Sequence, residues 1–240
     1  MFGFVTGTSS GVGEGFACRL AADGWDLAIT ARRGDRLRAL AERLAGEYGV
    51  RVQTHVADLT DPGDLAGLER AVAAARPGLL VNNAGFAGYR EFCEVGPEVI
   101  SDLVAVHVMA ITRLARAAVP AMVARGSGAI INVASLLAVS GSLPAQPLPY
   151  RAVYAAAKAF QLTFTQAPAT SSGRMTGNGA ADGSRPGGAA LAGLRPGEVV
   201  CVPGLNDTSM IDAVSQAQQA LLLTAVSSPL ADRYRKEQGT

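Results

Sequence analysis

Short apolar runs alternate with longer helical patterns five times along the first 165 residues of this 240-residue chain. FGFVT (2–6) reads as a strand, with a helix over 12–22 after it. LAIT (27–30) is the second strand, and Leu37, Leu40, Ala41 and Leu44 then recur at helical spacing. VRVQTHV (50–56) alternates as a strand does. Asp61-Pro62 supplies the N-cap and first residue of a helix that lines up Leu65, Leu68 and Val72. LLVNN (79–83) is the fourth strand, and Pro97 opens a long helix striped by Ile100, Leu103, Val104, Ile111, Leu114 and Ala118. AIINVAS (129–135) is the fifth strand, and a helix over about 153–165 follows. Parallel strands need long crossovers, and helical crossovers cover both faces of the sheet. The pattern therefore predicts an α/β chain with a doubly wound parallel sheet. Right-handed crossovers place every strand's carboxyl end on one edge, and ligand chemistry is expected there, where the strand order reverses.

Composition narrows the function classes. The formal net charge is +1 with no block of like charge, so a nucleic-acid partner is not expected. Cys18, Cys93 and Cys201 are odd in number and far apart, which suits neither a disulfide framework nor a metal site. The first strand begins at Phe2 with no basic leader before it, and no apolar run approaches the ~20 residues of a membrane span. The expected setting is the cytoplasm, without membrane association.

The first strand-to-helix turn is T-G-T-S-S-G-V-G, Thr6 to Gly13. Gly7, Gly11 and Gly13 permit a tight turn and close backbone approach, with Ser9, Ser10 and Val12 beside them. The helix N-terminus then offers free N–H groups and a positive dipole end to a pyrophosphate. An ordinary turn uses glycine too; its place as the first such turn of a doubly wound pattern favours a dinucleotide. The spacing resembles that of the short-chain dehydrogenase/reductase family. Its single-domain members carry T-G-x-x-x-G-x-G, whereas epimerase-like members need glycine where Ser10 stands. The resemblance implies one Rossmann-like domain over residues 1–240.

An acid at the end of the second strand would hold adenosine hydroxyls and repel a 2′-phosphate. This strand instead runs into Arg32 and Arg33. Guanidinium groups bind phosphate with charge-assisted hydrogen bonds, so NADP(H) is expected over NAD(H), with Arg32 as the nearer contact and Ser9 assisting. Two solvated arginines opening a helix is the competing reading. By resemblance, Asp58, with Leu59 after it, meets the adenine amino group. Also by resemblance, Asn82 braces the sheet edge, and the backbone of Asn83, Ala84 and Gly85 lies along the cofactor.

Y-A-A-A-K places Tyr154 and Lys158 on one helix face, after a strand whose end presents Ser135. A Tyr-x-x-x-Lys pair is common by chance, so position carries the argument. Serine, tyrosine and lysine in this order are the family's catalytic arrangement. The resemblance implies hydride transfer to a carbonyl or from an alcohol. Tyr154 would be the acid or base, Lys158 would lower its pKa from ~10 and bond the nicotinamide ribose, and Ser135 would orient the carbonyl oxygen. His107 stands where the family has an asparagine that supports a water-mediated proton path. It either relays a proton or packs.

Two regions depart from the family. Pro144, Pro147 and Pro149 stiffen the connection from Ser135 to Tyr154, either as a substrate loop or as passive surface. The stretch 168–188 holds six glycines, two prolines and one large apolar residue, Met175. It is expected to be a flexible or disrupted insertion, with the helical pattern stopping near Ala167. Beyond it, E-V-V-C-V-P-G-L-N-D-T (198–208) supplies either the sixth strand, with Pro203, Gly204 and Thr208 at the cofactor, or a later strand with the true sixth one lost. The first reading is preferred. The functions that follow are an NADP(H)-dependent carbonyl reductase, or a cofactor-binding protein that does no chemistry. A small carbonyl or alcohol is the expected partner, and the resemblance implies a homodimer or homotetramer through the long helices.

Overall fold

The computed structural model of the chain describes residues 1–144, 148–171, 178–179, 200–201 and 209–227. Its contacts divide the chain into two compact units, Met1–Pro203 and Gly204–Thr240, where the sequence reads as one domain. The first unit holds the strands β1 (Phe2–Thr6), β2 (Asp26–Ala31), β3 (Val52–Val56), β4 (Leu79–Asn82), β5 (Ala129–Asn132), β6 (Asn178–Gly179) and β7 (Val200–Cys201). All pair in parallel in one sheet, in the order β3-β2-β1-β4-β5-β6-β7. The order reverses between β1 and β4, so a crevice opens beyond their carboxyl ends.

The central strands are apolar throughout because both faces are covered. On one face Phe4, Leu80 and Ile130 pack with Leu65, Leu68 and Val72 of α3 (Pro62–Ala75) and with Leu114, Ala118 and Met122 of α5 (Ile111–Arg125). On the other, Val5, Ile29, Val81 and Ile131 meet Phe16 and Leu20 of α1 (Gly11–Ala22) and Leu37, Leu40 and Leu44 of α2 (Gly34–Tyr48). Each such side chain, fully buried, contributes about 1.5–3 kcal/mol. Asp61 caps α3 as expected, its carboxylate accepting from the Asp64 N–H at 2.8 Å.

The long helix is in three parts: α4 (Pro97–Val104), a π-helical turn (Ala105–Ala110) and α5. By length and composition alone the run Pro97–Arg125 could cross a membrane. Here Leu103, Ile111, Leu114 and Ala118 of its stripe are core, while Val104 faces outward.

Three sequence expectations change. First, β5 ends at Asn132 rather than at residue 135. Second, α6 (Ala152–Ser171) continues past Ala167 through Pro168; proline removes one hydrogen bond, and the buried row Lys158, Gln161 and Thr165 anchors the helix before it. Third, a strand does form inside 168–188: Asn178 pairs with Asn132 of β5, and β7 pairs with β6. The 198–204 run therefore supplies the seventh strand, and the preferred reading of it as the sixth is corrected. Backbone pairing needs no apolar side chain, so Asn178-Gly179 can fill the place beside β5 without the pattern that marks a strand. Residues 172–177 and 180–188 of the presumed insertion lie outside the described residues. In the second unit, α7 (Ser209–Ser227) presents exposed side chains at Met210, Val214, Leu221 and Leu223.

Candidate active site

The glycine loop is locked to the end of β4 by hydrogen bonds from the side chains of Thr6 and Asn83. The Thr6 hydroxyl accepts from the N–H groups of Asn83 and Ala84, each at 3.0 Å, and donates to the Val81 carbonyl at 3.3 Å. The Asn83 amide donates back to the carbonyls of Thr6 at 3.0 Å and Gly7 at 3.2 Å. Asn82 donates to Asn132 at 2.9 Å and Asn132 to Thr165 at 2.8 Å, so β4, β5 and α6 are tied together at their carboxyl-end side. No side chain caps the start of α1, which leaves its first N–H groups for an anion.

A cleft of about 530 Å³ opens at this edge. Of the residues expected to bind a dinucleotide, Gly7, Ser9, Ser10, Val12, Arg32, Arg33, Asp58, Leu59, Asn83, Ala84 and Gly85 line it. Gly11 and Gly13 form the loop's bend and the first turn of α1. Pro203, Gly204 and Thr208 lie outside the described residues. The two arginines divide their work. Arg32 reaches Asp58 across the strand ends at 3.6 Å. Arg33 turns to the glycine loop, donating to the hydroxyls of Ser9 and Ser10, each at 2.8 Å. Burial raises the Asp58 carboxyl, but hydrogen bonds from Thr60 and the Arg32 charge outweigh it, and its pKa is lowered.

Ser135, Tyr154, Lys158 and His107 converge beyond the end of β5. The Ser135 hydroxyl accepts from the Leu137 N–H at 3.2 Å, which fixes it at the start of a 3₁₀ turn (Leu136–Val139), and it is near enough to Tyr154 to lower the phenol's pKa. The Tyr154 ring meets His107 edge-on at 5.4 Å and Tyr89 edge-on at 5.5 Å, with the Lys158 ammonium 5.6 Å from its centre. Lys158 is 4% exposed and donates to the Val133 carbonyl at 2.7 Å and to Gln161 at 3.1 Å. Burial lowers its pKa to about 7. Burial, then Tyr89, raises the Tyr154 phenol above its ordinary value, against the lowering effect of Ser135. Among the protein's own groups the tyrosine shift thus runs opposite to the expected one.

His107 lies on the π turn, where such local widening often marks a functional site. Burial, then the Lys158 charge, lowers its pKa to about 4, so the imidazole is neutral near pH 7. It sits against Gly85, where a Cβ would come within 2.5 Å of the ring.

Three residues of this site escape the sequence reading. Gln161 stands three positions after Lys158 on the same face, a spacing that could have flagged it. Tyr89 follows Asn-Asn-Ala-Gly at no telling interval. Arg151 is 9% exposed and, among the described residues, forms no ion pair with a carboxylate. Its guanidinium instead donates to the Ser140 hydroxyl at 2.6 Å and to the carbonyls of Ser140, Leu143 and Pro149 at 2.7, 2.9 and 3.0 Å. It clamps both ends of the loop between Ser135 and Tyr154. Arg151→Met should cost about 1–3 kcal/mol, because buried carbonyls lose a charged donor. The denaturant midpoint and faster hydrogen exchange over 136–149 would show it; an unchanged loop would refute the clamp.

The family model described as short chain dehydrogenase matches residues 3–175. A short-chain dehydrogenase from Sphingobium yanoikuyae, solved in complex with NADPH, is 34% identical with a TM-score of 0.88, covering 97% of this chain and 99% of that one. The bulky-bulky ketone specific alcohol dehydrogenase from Comamonas testosteroni is 30% identical with a TM-score of 0.90, covering 98% of each chain. A very-long-chain 3-oxoacyl-CoA reductase from Mycosarcoma maydis is 32% identical over 168 residues, which are 68% of this chain and 46% of that one. The chain thus spans about half the length of relatives of that kind. With the family model matching through the glycine loop, the sheet and the Ser-Tyr-Lys group, the chain belongs to the short-chain dehydrogenase family.

Proposed function

We propose that the protein is an NADP(H)-dependent oxidoreductase that interconverts a ketone and a secondary alcohol, with Tyr154 as the general acid or base. The convergence of Ser135, Tyr154 and Lys158 around His107, which sits against Gly85 of the cleft lining, carries this reading. When bound, the nicotinamide supplies or accepts the hydride. Ser135 holds the carbonyl oxygen, and Tyr154 gives it a proton as it turns to alkoxide. The nearby Lys158 ammonium favours the phenolate that remains. The solved relative bound to NADPH supports the cofactor, and two of the relatives are named for ketone substrates. Leu136, Val139 and Leu143 stand exposed on the loop after Ser135, and Tyr89 and Phe92 on the loop after β4. Glu91 on that loop raises the Tyr150 pKa, so the two loops come near each other there. Such a mouth suits an apolar ketone.

The adenosine 2′-phosphate is assigned to Arg33 with Ser9 and Ser10, ahead of Arg32, because Arg32 is engaged with Asp58. Fluorescence titration with NADPH and NADH in parallel tests both parts. NADPH should bind more tightly, and Arg33→Ala should weaken it about 10- to 100-fold with little change for NADH, since a hydrogen bond to a charged group contributes about 1.5–3 kcal/mol. Equal loss for both cofactors would reject the phosphate assignment. Binding of neither by the wild-type protein would reject the function.

A further inference from the structure

We infer that Gln161 is a positioning residue: held between Lys158 and the π turn, it sets how firmly Lys158 keeps its proton and bars proton passage from Lys158 to His107. The kinetic part of this inference rests on the reductase reading above; the chemical part rests on geometry alone.

The hydrogen bonds leave no freedom of direction. An ammonium only donates, so the amide atom 3.1 Å from the Lys158 Nζ is oxygen. The amide nitrogen therefore faces the π turn, where it donates to the His107 carbonyl at 2.9 Å and meets Nδ1 at 3.3 Å. Nδ1 must then carry its lone pair, and the imidazole proton sits on Nε2, which donates to the Phe86 carbonyl at 2.8 Å. The Phe86 N–H lies farther from that nitrogen, at 3.4 Å. Every link points one way: lysine to amide, amide to imidazole, imidazole to backbone.

A primary amide does not ionise and cannot hand a proton on as water does. With Gln161 fully buried and His107 1% exposed, the packing leaves the pair fixed between their partners. His107 becomes a support for the Tyr154 ring and for Gln161. Among the described residues, the titratable groups around Lys158 are Tyr154 on its own helix, His107 on the π turn and, behind Tyr154, Tyr89 on the loop after β4. From the segment just after β5 it meets the carbonyl of Val133. Gln161 is thus the neighbour whose exchange for a charged isostere would act on it most directly.

Two lysines in the chain, Lys158 and Lys236, make the test direct. With Lys236→Arg in the background, lysine-selective carbon NMR follows Lys158 alone. Gln161→Glu keeps the shape and places a carboxylate beside the ammonium; the Lys158 titration should move up by about 1–3 pH units. The pH–rate limb for alcohol oxidation should move up as well, because the new charge holds protons on lysine and tyrosine alike. Gln161→Met removes the acceptor and should move the lysine titration down. A merely structural role would not produce opposite signs, and an unmoved lysine in both variants overturns the inference. Should either variant fail to fold, the wild type still decides. The chain has two histidines, and imidazole nitrogen NMR should find His107 neutral and protonated on Nε2 across neutral pH. Protonation on Nδ1, or a titration that tracks activity, would overturn the barrier. If no carbonyl or alcohol turns over at all, the reductase reading fails while these spectra still judge Gln161.

Discussion

Tyr154→Phe is expected to reduce turnover of a carbonyl substrate by about 10²–10⁴-fold, the scale of a positioned general acid, while NADPH affinity stays nearly unchanged. The substitution removes one oxygen and leaves a ring of the same shape. Its edge contacts with His107 and Tyr89 and its place near the Lys158 ammonium do not need the hydroxyl. What disappears is the hydroxyl that lies beside Ser135 and would protonate an alkoxide. Two measurements are needed together: loss of NADPH absorbance with a ketone, and fluorescence titration with NADPH. Lost turnover with intact binding identifies the proton donor. Turnover within tenfold of wild type would mean another group supplies the proton. A wild type that binds NADPH yet turns over no carbonyl would make the chain a cofactor-binding protein without chemistry.

Gly13→Ala is expected to disable the cofactor cleft and destabilise the fold. A Cβ there would lie 2.3 Å from the Gly7 carbonyl oxygen and 2.3 Å from the Asn83 amide nitrogen. Neither can step aside easily: the amide is bonded to the carbonyls of Thr6 and Gly7, and Gly7 is itself wedged against the Ala84 backbone. Overpacking of this kind costs about 3 kcal/mol, which in a chain of this size lowers Tm by roughly 6–12 °C. NADPH binding should fall with it, since the loop must shift. Gly15→Ala, two residues along the same helix with nothing within 4 Å of its Cβ, is the matched control. It should be neutral or stabilising by about 0.5–1 kcal/mol. Equal Tm values for the two variants would refute the steric argument.

The sheet and its helices were legible because burial on both faces writes itself as apolar runs and helical stripes, and the Asp61-Pro62 start declared itself in two residues. The glycine loop and the Ser135, Tyr154, Lys158 order were legible because their meaning depends on place in that pattern. Other features turned on partners that a linear reading cannot see. The choice between Arg32 and Arg33 depends on which one Asp58 engages. Gln161 looks like any polar helix residue until the Lys158 ammonium and the His107 carbonyl are found on either side of it. The Asn178-Gly179 strand is recognised by its backbone pairing alone, so no side-chain pattern announced it.

The Arg151 clamp also has a consequence for redesign. It grips the loop through one hydroxyl and three backbone carbonyls, all of which ask little of the neighbouring side chains. Leu136, Val139 and Leu143 project from a frame that does not depend on their identity. The protein therefore separates a fixed chassis from an interchangeable rim. Libraries confined to those three positions, with Arg151 and Ser140 retained, would test whether this rim sets substrate choice under the proposed reductase reading while Ser135, Tyr154 and Lys158 stay unchanged.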